Sequence, residues 1–173
     1  MNMTLRTHMH AMAGWNRWCY ERLFAVADRL SDDDYRRDAG LFFKSVHGSI
    51  NHMLLADLLW RARLAGTPPL FTDLAAEVEP DRALLKARML DSALAWQTYV
   101  EQTDDATLFG EFDYRNLAGV AYRLPRSVAV HTMFTHGAHH RGQVSTALTQ
   151  MGQDAPVFDY PLFYFDYQKS LEL

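Results

Sequence analysis

The chain has 173 residues, 49% of them hydrophobic and 22% charged, with a net charge of −4 when histidine is neutral. That balance excludes a disordered or collagen-like chain, and the acidic surface excludes attachment to nucleic acid mainly through phosphate neutralisation. A single cysteine, Cys19, excludes both an internal disulfide and a cysteine-rich zinc ribbon.

The length suits one domain, expected over residues 1–173. No uncharged apolar run reaches the roughly 18 residues that a membrane helix needs, and the opening MNMTLRTHMHAMAGWNRW lacks the apolar stretch of a signal peptide. The expectation is a soluble protein of the reducing cytoplasm, with neither a membrane nor a nucleic acid as partner.

Leu5, Met9, Met12, Trp15, Leu23 and Val26 recur at helical spacing and predict a first helix over residues 4–30. Ser31 and the aspartates at 32–34 end it, and residues 31–43 read as a loop with room for one helical turn. A second helix is expected from Lys44 to Ala65, closed by Gly66 and the pair Pro68-Pro69, followed by a connection over 66–80. The third helix opens at Glu79-Pro80-Asp81, with proline in its first turn, and ends near Asp105. Phe109, Phe112, Tyr114, Val120 and Tyr122 surround a polar, glycine-containing centre, so residues 107–124 predict a β-hairpin. A fourth helix runs from Arg126 to Met151 and is closed by Gly152. The tail VFDYPLFYFDYQ is aromatic and broken by proline, and its apolar surface needs cover from the body. Four long helices joined by very unequal connections point to an all-α protein, an antiparallel four-helix bundle with a small β-hairpin before the last long helix and at least one crossover.

The eight histidines are unevenly placed. On a helix of about 100° per residue, His136 and His140 lie about 40° apart within a stripe that includes Met133, Val144, Ala147 and Met151. An H-x3-H pair lets two imidazoles on one face reach one metal ion. Taken alone the spacing also arises by chance, and a lone buried histidine is usually a hydrogen-bonded core residue. His52 shares an inward face of the second helix with Leu55, Ala56 and Leu59. Three neutral imidazoles buried in one bundle each need a partner, and a shared divalent cation satisfies all three. His139 falls at the edge of the stripe, and Gln143 lies inward enough to orient a ligand or a bound water. His47, about 140° from His52, is expected at the surface or an interface. His8, His10 and His131 are read as surface residues, Asp57 as a surface or interhelix ion-pair residue, and Cys19 as packing.

The segments GWNRWCYERLF, FFKSVHGSINHMLLADLLWRARL and HTMFTHGAHHRGQV, with the tail FDYPLFYF, resemble the DinB/YfiT-like family, the DNA-damage-inducible proteins rather than the polymerase of the same name. The resemblance covers most of the chain and is most specific at HHRGQ. It implies a four-helix bundle in up-down-down-up order, commonly a homodimer. It also implies a three-histidine metal site, here His52, His136 and His140, with nickel or zinc as the usual occupant. Arg141 belongs to the same motif but is about 140° from His136, so it is expected to point away and hold the hairpin, the tail or a partner subunit.

Three protein nitrogens leave room for water or substrate, the layout of a catalytic rather than a closed structural site. Relatives of the fold include transferases and isomerases that use low-molecular-weight thiols such as bacillithiol or mycothiol. The leading expectation is therefore a metal-dependent enzyme of the thiol-dependent transferase or hydrolase type. No Asp or Glu stands within the H-x3-H segment, which leaves His139 or a hairpin residue as the candidate proton carrier. The alternatives are a metalloprotein whose ion only clamps two helices together and a stress-linked interaction module acting as a dimer.

Overall fold

Side chains that cap helices set most of the boundaries in this chain. Thr4, Ser31, Ser45, Asp81 and Asp104 each accept an amide hydrogen bond from the first turn of the helix that follows. In the computed structural model, which describes residues 4–171, these caps open α1 (Leu5–Ala27), α2 (Asp32–Arg36), α3 (Val46–Leu64), α4 (Arg82–Gln102) and α5 (Asp105–Phe109). Strands β1 (Glu111–Arg115) and β2 (Ala121–Pro125) follow, then α6 (Arg126–Gln150) and α7 (Tyr160–Leu171). The outermost residues of the expected 1–173 unit lie outside the described residues. No helix among the described residues is long and apolar enough to cross a membrane.

The protein is mostly helical, with one small antiparallel hairpin in which Tyr114 pairs with Tyr122 and their rings stack at 5.5 Å. Helix α1 packs on α4 and α6, and α3 packs on the same two. Two buried clusters form the core. The second halves of α1 and α6 meet the first halves of α3 and α4 around Phe24, Ile50, Met89 and Leu148. At the other end, the first halves of α1 and α6 meet the second halves of α3 and α4 around Met9, Trp96, Val100 and Phe134. Buried polar side chains come from the middle turns of the same helices: Asn16, His52, Asp57, Ser92, His140 and Arg141.

Several expected boundaries shift for local reasons. Lys44 adopts φ +68° and Ser45 is the cap, so α3 starts at Val46 rather than Lys44. Asp81 caps α4, which puts Pro80 outside its first turn. Residues 105–109 are a helical turn capped by Asp104, and the hairpin is confined to 111–125. The tail, expected as a broken segment, forms α7, because Pro161 falls in the first turn, where its missing N–H leaves no bond unmade. It packs on α1: Trp15 Nε1 donates to the Phe158 carbonyl at 2.8 Å, and Trp18 Nε1 donates to Asp166 at 3.1 Å. Gly14 leaves space for the Phe163 ring, which would lie 3.2 Å from a Cβ at that position.

Three polar residues expected outside the core are in it. Arg141 is fully buried, donating from Nη1 to Asn16 Oδ1 at 2.6 Å, with its guanidinium over the rings of Trp15, Tyr20 and Phe158. It points away from His136 and holds the start of the tail at Phe158, but it does so from inside the core against α1. His47 is buried against Tyr35, and its Nε2 lies 2.7 Å from Glu77. Among the described residues Asp57 makes no ion pair; it is buried and accepts a hydrogen bond from Ser92 Oγ at 3.0 Å. Desolvation pushes the Asp57 carboxyl up to about 7, against the opposing pull of the Ser92 hydroxyl and the charges of Arg61 and Arg141.

A carboxyl that ionises later in the folded chain than in the unfolded one stabilises the fold at low pH. That contribution is lost as pH rises from the unfolded value near 3.8 through the folded value near 7. Asp57→Asn should therefore gain on the wild type across that window, by on the order of 2–4 kcal/mol at its upper end. Chemical denaturation of both proteins from pH 4 to 8 checks this, and a constant difference across the range would contradict it.

Candidate metal centre

The site begins with a short turn before α3. Ala39 N–H donates to the Lys44 carbonyl at 2.8 Å, and Lys44 N–H donates to that of Leu41 at 2.9 Å. The left-handed Lys44 reverses the chain there. This turn places the Phe43 ring flat against the imidazole of His52, with centroids 3.7 Å apart and planes 15° from parallel. It also lies edge-on to His140 at 5.7 Å. Gly48 makes the approach possible, because a Cβ there would stand 2.2 Å from the Phe43 carbonyl oxygen.

His52 projects from the middle of α3, and His136 and His140 from one face of α6, which packs beside it. His136 Nε2 lies 3.2 Å from His52 Nε2 and 3.1 Å from His140 Nε2. One nitrogen from each ring falls within 4.8 Å of the other two. His52 and His140 are buried, and His136 is half-buried. All three residues expected to meet at one point do so.

The outer ring nitrogens fix the protons. His52 Nδ1 stands 2.9 Å from the Leu74 carbonyl oxygen, which can only accept, so the proton sits on Nδ1 and Nε2 presents a lone pair. His140 Nδ1 stands 2.8 Å from Gln143 Oε1, with the same consequence. His136 Nε2 faces both lone pairs, and its buried Nδ1 has no hydrogen-bond partner among the described residues. A proton on His136 Nε2 can be directed at only one of them. A cation among the three nitrogens satisfies the whole set.

The spacing fits that chemistry. With metal–nitrogen bonds of about 2.0–2.1 Å, two ligand nitrogens are separated by about 3.3 Å at a tetrahedral angle and about 2.9 Å at a right angle. The observed 3.1 and 3.2 Å fall between these values. Burial, followed by the neighbouring imidazoles, holds His136 down to about 4. Burial likewise holds His140 down to about 4, against the pull of its bond to Gln143, and lowers His52. The rings are thus kept neutral at ordinary pH, the state in which imidazole ligates a cation.

Other expected residues take different places. His139 is exposed at the rim, with its ring 4.9 Å from that of His140. His8 and His131 are exposed on the surfaces of their helices. Cys19 is buried, and desolvation pushes its thiol up to about 12. Two contributors had no sequence signal: the Leu74 carbonyl, which belongs to the backbone, and the Phe43 ring, whose position depends on Gly48 and on the turn at Lys44.

Gly48→Ala should cost about 1–3 kcal/mol, because the clash is with backbone that cannot rotate aside. The denaturant midpoint reads this directly, and a midpoint equal to that of the wild type would show that the 41–44 turn is not seated on Gly48.

No curated protein matches the chain. Among solved structures it is similar to a conserved protein from Enterococcus faecalis, at 16% identity and a TM-score of 0.65, over 85% of this chain and 96% of that one. That likeness is one of fold. The sequence itself matches the DinB family over residues 1–170, nearly its whole length. With that match, and with three histidines gathered on two packed helices, the chain belongs to the DinB family.

Proposed function

We propose that this protein binds one divalent transition metal through His52, His136 and His140 and works as a metal-dependent enzyme of the thiol-dependent transferase or hydrolase type. The observation that carries the reading is the convergence of three Nε2 atoms, two of which have their ring protons held on the far side by acceptors. Imidazole donors suit nickel or zinc. Three protein nitrogens leave coordination positions for water or substrate. When bound, such a cation supplies Lewis acidity and lowers the pKa of a bound water or thiol.

The chain's own residues supply the rest. Leu74 and Gln143 hold the protons of His52 and His140 on Nδ1. Phe43 covers one face of His52 and keeps water from it. His139, exposed beside His140, is the side chain placed to exchange a proton with solvent. Cys19 is buried and resists ionisation, so a thiol nucleophile comes from a low-molecular-weight cosubstrate.

The same proposal includes a single domain over 1–173, built as a four-helix bundle in up-down-down-up order. The sharing of core clusters supports that order, since α1 and α6 contribute matching halves at each end while α3 and α4 contribute the opposite ones. Exposed aromatics on α7, among them Tyr164 and Phe165, support a homodimer. The unpaired, buried Cys19 is in keeping with a reducing cytoplasm. A purely structural ion is the second reading, favoured by the fact that the ligands join two helices, α3 and α6.

Elemental analysis of protein purified without a histidine tag should find about one transition metal per chain, lost in His136→Ala. A chain that takes up no nickel or zinc would end the proposal. In the catalytic reading, His52→Ala abolishes turnover in a thiol-transfer screen with electrophilic substrates while the fold persists. In the structural reading, chelation unfolds the protein because binding free energy is folding free energy.

A further inference from the structure

The connection between α3 and α4 meets His52 of the histidine cluster, and it is fastened at several points. Asn51, buried and next to His52, accepts the Glu79 N–H on Oδ1 at 2.8 Å and donates from Nδ2 to the Glu79 carbonyl at 3.1 Å. Its amide thus pairs with that backbone much as a second strand would. Glu77 reaches His47 Nε2 at 2.7 Å. Arg88 Nη1 donates to the Val78 carbonyl at 3.0 Å, and Arg36 Nη2 donates to that of Pro80 at 2.6 Å. Upstream, Asp73 folds the chain into a tight turn: its Oδ1 accepts from Ala75 N–H at 2.9 Å, and its carbonyl accepts from Ala76 N–H at 3.2 Å. Leu74, whose carbonyl meets His52 Nδ1, lies inside that turn.

We infer that residues 73–79 are a strap that sets the tautomer and aim of His52, with Asp73 and Asn51 as its positioning residues. Asp73 turns the Leu74 carbonyl toward the ring, and Asn51 fixes the far end of the strap to the helix that carries the ring. The α3 imidazole is therefore oriented by a segment 22 residues away in sequence. Only the backbone of Leu74 takes part, and its side chain is 45% exposed. The consequence for metal affinity rests on the reading of the three histidines as ligands; the consequence for the tautomer of His52 does not.

Two readouts keep these apart. In metal-free protein labelled with 15N-histidine, wild-type His52 should give the signature of a single Nδ1–H tautomer. Asp73→Ala and Asn51→Ala should both turn it into a mixture, and zinc affinity should fall roughly 10–100-fold. Asp73→Asn keeps the accepting oxygen and should restore both, and Leu74→Ala keeps the carbonyl and should leave both unchanged. Asp73 is exposed, so its variants test the strap even if Asn51→Ala fails to fold. A wild-type tautomer ratio in Asp73→Ala would overturn the strap whatever the zinc result. A wild type that takes up no zinc but shows the tautomer shift on Asp73→Ala would remove the ligand reading and leave the strap standing.

Discussion

Nitrogen lone pairs aimed at one another inside a helical core repel, and the surroundings of His52, His136 and His140 are organised around that constraint. Water cannot relieve it fully, because two of the rings are buried. Protonation is resisted too, since burial and the neighbouring rings hold His136 and His140 down to about 4. Leu74 and Gln143 close the remaining escape by occupying the outer nitrogens of His52 and His140. A divalent cation fits what remains, because everything around the rings keeps them neutral and still.

The cluster belongs to a polar midsection that divides the apolar interior in two. Two of its buried charged groups are answered in different ways: Asp57 takes the Ser92 hydroxyl, and Arg141 takes Asn16 through Nη1 and a surround of aromatic faces for the rest of its guanidinium. Such a layer contributes less to stability than apolar packing of the same volume, and it ties the helices to one relative setting. The two apolar ends supply the burial that holds the midsection closed.

Helical periodicity made the long helices legible, along with the face carrying His136 and His140 and the inward side that holds His52. The same arithmetic missed the burial of His47, Asp57 and Arg141, because it assumes that a helix buries one face. Helix α3 buries residues nearly all the way round, from Val46 through Leu59, and α6 packs on both α1 and α3. Arg141 is on a different side of α6 from His136 and is still interior. The tail was misread because Pro161 signals a break in mid-helix and is tolerated at a start. No residue type could have announced the Leu74 carbonyl, since a backbone oxygen is present at every position.

Gly137 follows His136 directly, on the side of α6 that faces α1. A Cβ there would lie 2.8 Å from Arg141 Nη1, 2.9 Å from the Tyr20 hydroxyl and 3.2 Å from Asn16 Oδ1. The bare backbone works as a keyway and the caged guanidinium as its key: α6 can neither roll about its axis nor slide along α1 without driving one into the other. The two imidazoles on the neighbouring flank, toward α3, inherit that immobility. Their spacing is therefore machined from the α1 side of the helix, and altering it would begin at Gly137 and Arg141, leaving the imidazoles themselves untouched.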